Sequence, residues 1–436
     1  MTGDKLDIDQ TLIFTAKYIV LGLHMRLVVN NFVVAAILIA GLTVVAGYSR
    51  PRSRKDEYQQ TRLYRVSEDD RRSGRRRFGF IDHSGKLIID FDRLPKKTIE
   101  VGDFHDGRAV IYLGKTEQDT GRRSMNYYVG YIDTSGRIVI APRFSFASDF
   151  SEGLTHVTTN DFDGFIDLRG RRVIKLVNKT ARDFHEGLAA FSAVQGRERG
   201  FIDRNGKVVI QGRYRFVDDF SEGLAGVVID NNYGFINRAG ELVVPVRFNV
   251  MVEPRHPNLP VSSGRFREGL ACVGLNQLYG YINSRGEFVI PPQFYQAQEF
   301  SEGLAWVTQE DARAGWIDKT GKWVEGELNK TSPGIVWDYS PYLTLRFSEG
   351  LVSFVRYDGN RILRGYMDRS GKVIIPPREW SEAGPFEGGI ARIEFYEKSD
   401  ADWNQVRGYR DSTTGQFREL KYGYIDRAGR IIWRSK

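Results

Sequence analysis

A chain of 436 residues with 41% apolar and 27% charged side chains has the composition of a folded protein, not a disordered one. Its 46 glycines and 13% aromatic residues suit all-β repeats, and its single cysteine, Cys272, excludes a disulfide framework and any multi-thiolate metal site. The net charge of +8 is local: residues 50–77 carry +6, residues 1–49 balance and residues 78–436 carry only +2, so a nucleic-acid-binding repeat surface is not indicated.

Residues 1–26 form a mixed tail, with Asp4, Asp7 and Asp9 ahead of a short apolar patch. Leu27–Tyr48 then runs 22 residues without a charge, long enough at 1.5 Å per residue to cross a bilayer core as a transmembrane helix or signal anchor. A signal peptide beginning at Met25, with Val44-Val45-Ala46 near a cleavage site, is the rival reading. Residues 49–77 read as a basic linker. Its Arg71-Arg72 and Arg75-Arg76-Arg77 suit contact with anionic lipid, and a solvated tether is the plainer alternative. Arg50, Arg52, Arg54 and Lys55 favour a cytoplasmic C-terminal domain, although long domains translocate largely regardless of such flanks.

From residue 78 to 436 the chain repeats. A first motif, Gly-aromatic-Ile/Met-Asp/Asn-x-x-Gly, opens at Gly79, Gly130, Gly164, Gly200, Gly234, Gly280, Gly315, Gly365 and Gly423. A second, Phe-x-acid-Gly, opens at Phe104, Phe150, Phe184, Phe220, Phe266, Phe300 and Phe347, with a degenerate copy at Phe386. In Asp203-Arg204-Asn205-Gly206 the Asp suits the start of a type I turn and the Gly the left-handed position after it, giving a hairpin with a G1 bulge. Pro142, Pro245, Pro291-Pro292 and Pro376-Pro377 are expected to stop the strand that follows, leaving about three strands per unit. Such a unit cannot bury its aromatic and Ile face alone, so stacked neighbours must supply the core. The expected fold is all-β: a tandem β-hairpin array of about nine repeats, curved and stacked, with a closed β-propeller as the alternative. Insertions fall near 115–127, 249–265, 325–346 and 395–422, the last holding Gly408-Tyr409-Arg410-Asp411 as a decayed copy.

The pattern resembles the bacterial WG-repeat family, best in Gly280–Pro292 with Phe300–Ala305 and in Gly130–Pro142 with Phe150–Leu154. The family's naming Trp, just before the first Gly, is replaced by Phe78, Tyr233, Tyr279 and Tyr422 or by residues such as Arg199. The resemblance implies a β-repeat binding or scaffolding module, often exported or membrane-attached, with no common activity.

No catalytic, cofactor-binding or metal residue is assigned. His24, His83, His105, His156, His185 and His256 are scattered without ligand spacing, and His105 and His185 occupy the variable position of the second motif, read as an exposed turn. No nucleotide-cradling glycine loop is present. One Asp per unit, sometimes Asn237 or Asn283, is too sparse for a calcium ladder. The acid of Ser221-Glu222-Gly223 and its equivalents reads as a turn or inter-repeat hydrogen bond. The expected function is a non-enzymatic protein-interaction scaffold at the cell envelope. The alternative is a glycan-binding surface using exposed aromatics such as Trp306 or Tyr396.

Overall fold

The structure is a computed structural model that describes residues 62–70, 75–114, 127–194, 196, 198–249, 252–253, 256–260, 264–310, 313–326, 328–329, 335–336, 345–359, 361–398, 408–410 and 417–435. The tail and the Leu27–Tyr48 span lie outside them; within them no helix is long and apolar enough to cross a membrane.

Every described element is a strand, and the strands form antiparallel meanders, one per repeat, two of which join through the single pair Asn249↔Gly274 around the small inserted hairpin Val252–Glu253 and His256–Pro260. Unit 4 shows the pattern: Lys179–His185, Leu188–Ala193, Arg199–Asp203 and Val208–Tyr214 pair in that order. This unit therefore has four strands where about three were expected; the units that begin at Tyr64, Ala271 and Gln296 have three. The prolines explain the difference. Pro142 lies within the strand Ile138–Phe144, where the register jumps from Tyr131↔Ile140 to Val129↔Phe144. This strand is the edge of its sheet, and a bulge on an edge tolerates a residue that cannot donate. One residue, Ser145, then links it to Phe146–Ala147, the first strand of the next unit. Short strands and one-residue links let 34 residues hold four strands.

The first motif folds as its residues dictate. Asp203 N–H bonds Lys207 O and Gly206 N–H bonds Asp203 O, while Asp203 Oδ1 accepts from the N–H groups of Asn205 and Lys207 at 2.9 Å each. Gly206 takes φ +80°, and because Gly206 and Lys207 both pair with Asp203 they form the G1 bulge; a second bulge follows at Val209, where the register shifts between Phe201 and Ile202. A Cβ on Gly206 would sit 2.6 Å from Ile174 Cγ2 of the preceding unit, so the glycine also lets the neighbours close up.

The core lies between units. The first-motif aromatic of each unit packs on the second-motif Phe of the next: Phe80 on Phe104, Tyr131 on Phe150, Phe165 on Phe184, Phe201 on Phe220, Phe235 on Phe266, Tyr281 on Phe300, Trp316 on Phe347 and Tyr366 on Phe386, with ring centroids 4.7–4.9 Å apart. Edge-to-face pairs add about 0.5–1.5 kcal/mol beyond burial. The recurrent aromatic-Ile pairs are buried, as a core stripe requires.

The ends of the array meet. Among the described residues there are nine interface clusters for nine units, and the ninth joins Tyr64, Val66 and Ile81 of the first unit to Ile390 and Tyr424 of the last. An open stack of nine would have eight, so closure replaces the open curved array. Two boundaries move with it. Tyr64–Asp70, assigned to the basic linker, is a strand of unit 1 paired with Arg75–Ile81, in which Arg76 and Arg77 are ion-paired with Asp69 and Glu68. Gly408–Arg410 is no extra unit; it pairs at the edge of Phe417–Asp426 within unit 9.

Candidate functional site

The second motif forms a two-residue hairpin turn between the first and second strands of a unit. Its acid and glycine both have positive φ, +50° to +54° for Asp106, Glu152, Glu186, Glu222, Glu268, Glu302 and Glu349 and +73° to +84° for the glycines after them. This is type I′ geometry, which glycine adopts freely and glutamate does not. The offset is an inter-unit clamp. Each carboxylate reaches the next unit's turn: Asp106 accepts from Gly153 N–H at 2.7 Å, Glu152 from Gly187 at 2.9 Å and Glu186 from Gly223 at 2.9 Å. Glu222 accepts from both Glu268 and Gly269, Glu268 from Glu302 and Gly303, Glu302 from Gly350, and Glu349 from Gly388 and Gly389. The variable residue adds a second link where it is Ser: Ser151, Ser221, Ser301 and Ser348 donate to the carbonyls of Phe184, Phe266, Phe347 and Phe386. The recurring acid is therefore an inter-repeat hydrogen bond.

Because the motif Phe enters the interface, the residue before it points the other way. In units 2–5 that residue is Asp103, Asp149, Asp183 and Asp219; in units 6–8 it is Arg265, Glu299 and Arg346. Four successive units thus set carboxylates at one level of the array, with Asp218 beside Asp219. At one end Arg65 pairs with Glu100 at 2.8 Å and approaches Asp103 at 3.9 Å. At the other, Arg182 and Arg265 hold Asp219 at 3.1 and 2.6 Å. His105 and His185 flank the turn with side chains 50% and 43% exposed, as expected, and also reach across interfaces, 3.6 Å from Asp149 and 3.7 Å from Asp219.

Burial is the leading cause that raises the carboxyls of Asp149, Asp183 and Asp218 above their usual range. His105 opposes it at Asp149 while Asp103 adds to it, and Asp149 and Asp219 both add to it at Asp183. Asp218 is 1% exposed and accepts from the Tyr233 hydroxyl, whose own proton is held far more tightly than usual by burial and then by Asp218. Gly226 and Gly264 leave the room this phenol fills. Tyr233 stands at the naming position of the first motif, so loss of the Trp there admits a polar group to the carboxylate wall.

The other candidates separate. His156 bonds Asp163 at 2.5 Å between the rings of Phe146 and Phe165, His83 lies exposed in a first-motif turn, and His256 belongs to the short strand His256–Pro260. Among the described residues no group of three His, Cys, Asp or Glu could share a metal ion. Cys272 is buried, and burial raises its thiol. Of the two aromatics expected at the surface, Trp306 is 3% exposed and belongs to the core, because it lies inward on the second strand of unit 7 opposite Trp316. Tyr396 is on the surface at 37%. The carboxylate wall was missed from sequence. Its signal was an acid at one offset in four consecutive units, legible only once the Phe beside it is known to face inward.

The family description "WG containing repeat" matches residues 78–115, 130–161, 200–233, 233–254, 279–311 and 365–398. No protein of curated function matches the chain. Solved structures that are similar include BamB from Moraxella catarrhalis (10% identity, TM-score 0.35, covering 68% of this chain and 93% of that one). Hsv2p from Kluyveromyces lactis is 9% identical with a TM-score of 0.31, covering 69% and 94%. Apo AztD from Citrobacter koseri is 11% identical with a TM-score of 0.32, covering 72% and 93%.

Proposed function

We propose that this WG-repeat protein is a non-enzymatic scaffold for protein partners, held at the bacterial cell envelope by residues 27–48. The observation that carries the reading is the break in repeat symmetry at the position before the motif Phe. Clamp, turn and core residues recur from unit to unit because packing demands them. The run Asp103, Asp149, Asp183, Asp219 followed by Arg265 does not recur around the array as they do, and gives it one distinct charged wall. Clefts lined by one sign of charge favour association with partners of complementary potential.

Photo-crosslinking in cells tests it. A photoreactive residue in place of Asp183 should yield discrete protein adducts, and one in place of the exposed Val209, on the strand Val208–Tyr214, should not. The full chain should sediment with membranes and resist alkaline extraction, and a chain lacking residues 27–48 should not. A wall that yields no protein adduct while the chain is retained on purified peptidoglycan would overturn the reading in favour of a glycan-binding surface.

A further inference from the structure

The carboxylate wall already holds three guanidinium groups of its own, and they occupy only its ends. Arg65 serves Glu100 and Asp103, and Arg182 and Arg265 both serve Asp219. Between them Asp149 has only the imidazole of His105 at 3.6 Å, and Asp183 has no ion pair among the described residues. The middle of the wall is two carboxylates short of cations. We propose that this stretch seats an arginine-bearing segment of the protein partner, with side chains from that segment completing at Asp149 and Asp183 the pairing that Arg65, Arg182 and Arg265 make at the ends.

A second observation comes from beneath the wall. Asp218 is 1% exposed, and while its Oδ2 accepts from Tyr233, its Oδ1 has no hydrogen-bond partner among the described residues. It adjoins Asp219, and Arg265 and Arg182 both act on it electrostatically. A buried carboxylate oxygen without a donor is costly, and although this one is closed to direct contact, a cation seated on the wall above it offsets part of that cost electrostatically. Asp149, with its side chain 47% exposed, and the half-buried Asp183 are open to a ligand, and an opposite charge there favours the ionised form that their surroundings disfavour. Arginine is the better fit than lysine because every cation of a long side chain already on the wall is a guanidinium, whose planar fork pairs with carboxylates in a fixed geometry. In units 6–8 the equivalent positions alternate Arg265, Glu299 and Arg346, and Arg267 neutralises Glu299 at 2.5 Å, so the segment has one half of the array to lie on.

This inference rests on the scaffold reading and is tested apart from it. The full chain is titrated with a fluorescent octapeptide alternating Arg and Ser, and with its Glu-for-Arg counterpart, by anisotropy at two salt concentrations. Binding of the Arg peptide alone is expected, weakening as salt rises. The double variant Asp149→Asn/Asp183→Asn should weaken it roughly tenfold, about 1.4 kcal/mol. Its melting temperature should be no lower than wild type, which separates lost binding from lost folding. Glu287→Gln, on the first-motif turn of unit 6, should bind as wild type does. No binding of the Arg peptide, equal binding of the Glu peptide or an unaffected double variant would each overturn the proposal. Should Asp183-position crosslinks to proteins persist while the Arg peptide fails to bind, the basic-segment assignment falls and the scaffold reading stands; absence of both removes both.

Discussion

The hydroxyl of Tyr424, on the third strand of the last unit, donates to the backbone carbonyl of Arg65 in the first at 2.9 Å, and its ring packs on Tyr64 at 5.8 Å. This is the seam of the closed array. Elsewhere an interface sets an aromatic on a motif Phe and a carboxylate on the next turn. At the seam, phenols do this work. Tyr422 bonds Ser67 Oγ at 2.8 Å, Tyr64 donates to Glu387 O at 2.6 Å, and Glu387 pairs with Arg62. Tyr424→Phe should cost about 1 kcal/mol, and Tyr424→Ala about 3–5 kcal/mol because it also leaves a cavity. In the Ala variant, faster amide exchange should appear in residues 62–89 and 380–435 before the middle units. Uniform acceleration along the chain would show that the seam is no weaker than the other interfaces.

Glu268 tests the carboxylate clamp. It accepts from Glu302 and Gly303, pairs with Lys319 at 3.1 Å and sits at φ +54°. Burial pushes its carboxyl up, but Lys319 and the two N–H groups outweigh this and hold it below the usual glutamate range. Glu268→Ala loses the charge-assisted bonds and keeps the unfavourable backbone, at a cost of about 2 kcal/mol. Glu268→Gly loses the same bonds but relieves the positive φ, and should be about 1 kcal/mol less damaging. Urea denaturation that ranks Gly below Ala would mean the turn carries no strain.

Two glycines of nearly equal φ separate strain from crowding. Gly223, at +81°, has open space where a Cβ would go, whereas at Gly206, at +80°, a Cβ would press on Ile174 of the preceding unit. Gly223→Ala should cost about 1 kcal/mol for the backbone alone. Gly206→Ala should cost about 1–3 kcal/mol more, because a buried interface must move. Equal melting temperatures for the two variants would contradict the close packing of successive hairpins.

The repetition itself, the G1 turn at Asp203–Gly206 and the burial of the Phe201-Ile202 pair were legible because each is a local rule applied nine times. The role of Glu222 as an inter-repeat acceptor was also readable, since a carboxylate recurring in register has a repeated task. Closure was not. It depends on Tyr64 and Tyr424, 360 residues apart in sequence, and on a strand, Tyr64–Asp70, whose flanking arginines disguise it as a tether. Pro142 misled for a related reason: proline forbids a central strand, and only the sheet order reveals that its strand is an edge. Trp306 misled because neighbouring units, not composition, decide which side of a strand is covered.

The acid-pH behaviour follows from two sets of aspartates with opposite signs. In the first-motif turns, burial raises Asp133, but bonds from the Ser135 hydroxyl and the N–H groups of Arg137 and Ser135 bring it below the usual range; at Asp368 the Ser370 hydroxyl is the leading cause in the same direction. Asp82, Asp167, Asp318 and Asp426 are lowered as well. A depressed folded value gives stability that is complete above the unfolded value, about 3.9, and is lost as pH falls through the folded one. Asp149, Asp183 and Asp218 are raised, chiefly by burial. Between the unfolded value and their raised one, the folded chain holds more protons than the unfolded chain, so stability grows as pH falls from neutrality towards the ordinary carboxylate range. At constant ionic strength the melting temperature should therefore rise on mild acidification and then drop below about pH 4. In Asp183→Asn the rise should shrink and the melting temperature at pH 7 should be higher than wild type. A melting temperature that falls steadily from pH 7 downward would show that the wall carboxylates are not strained by burial.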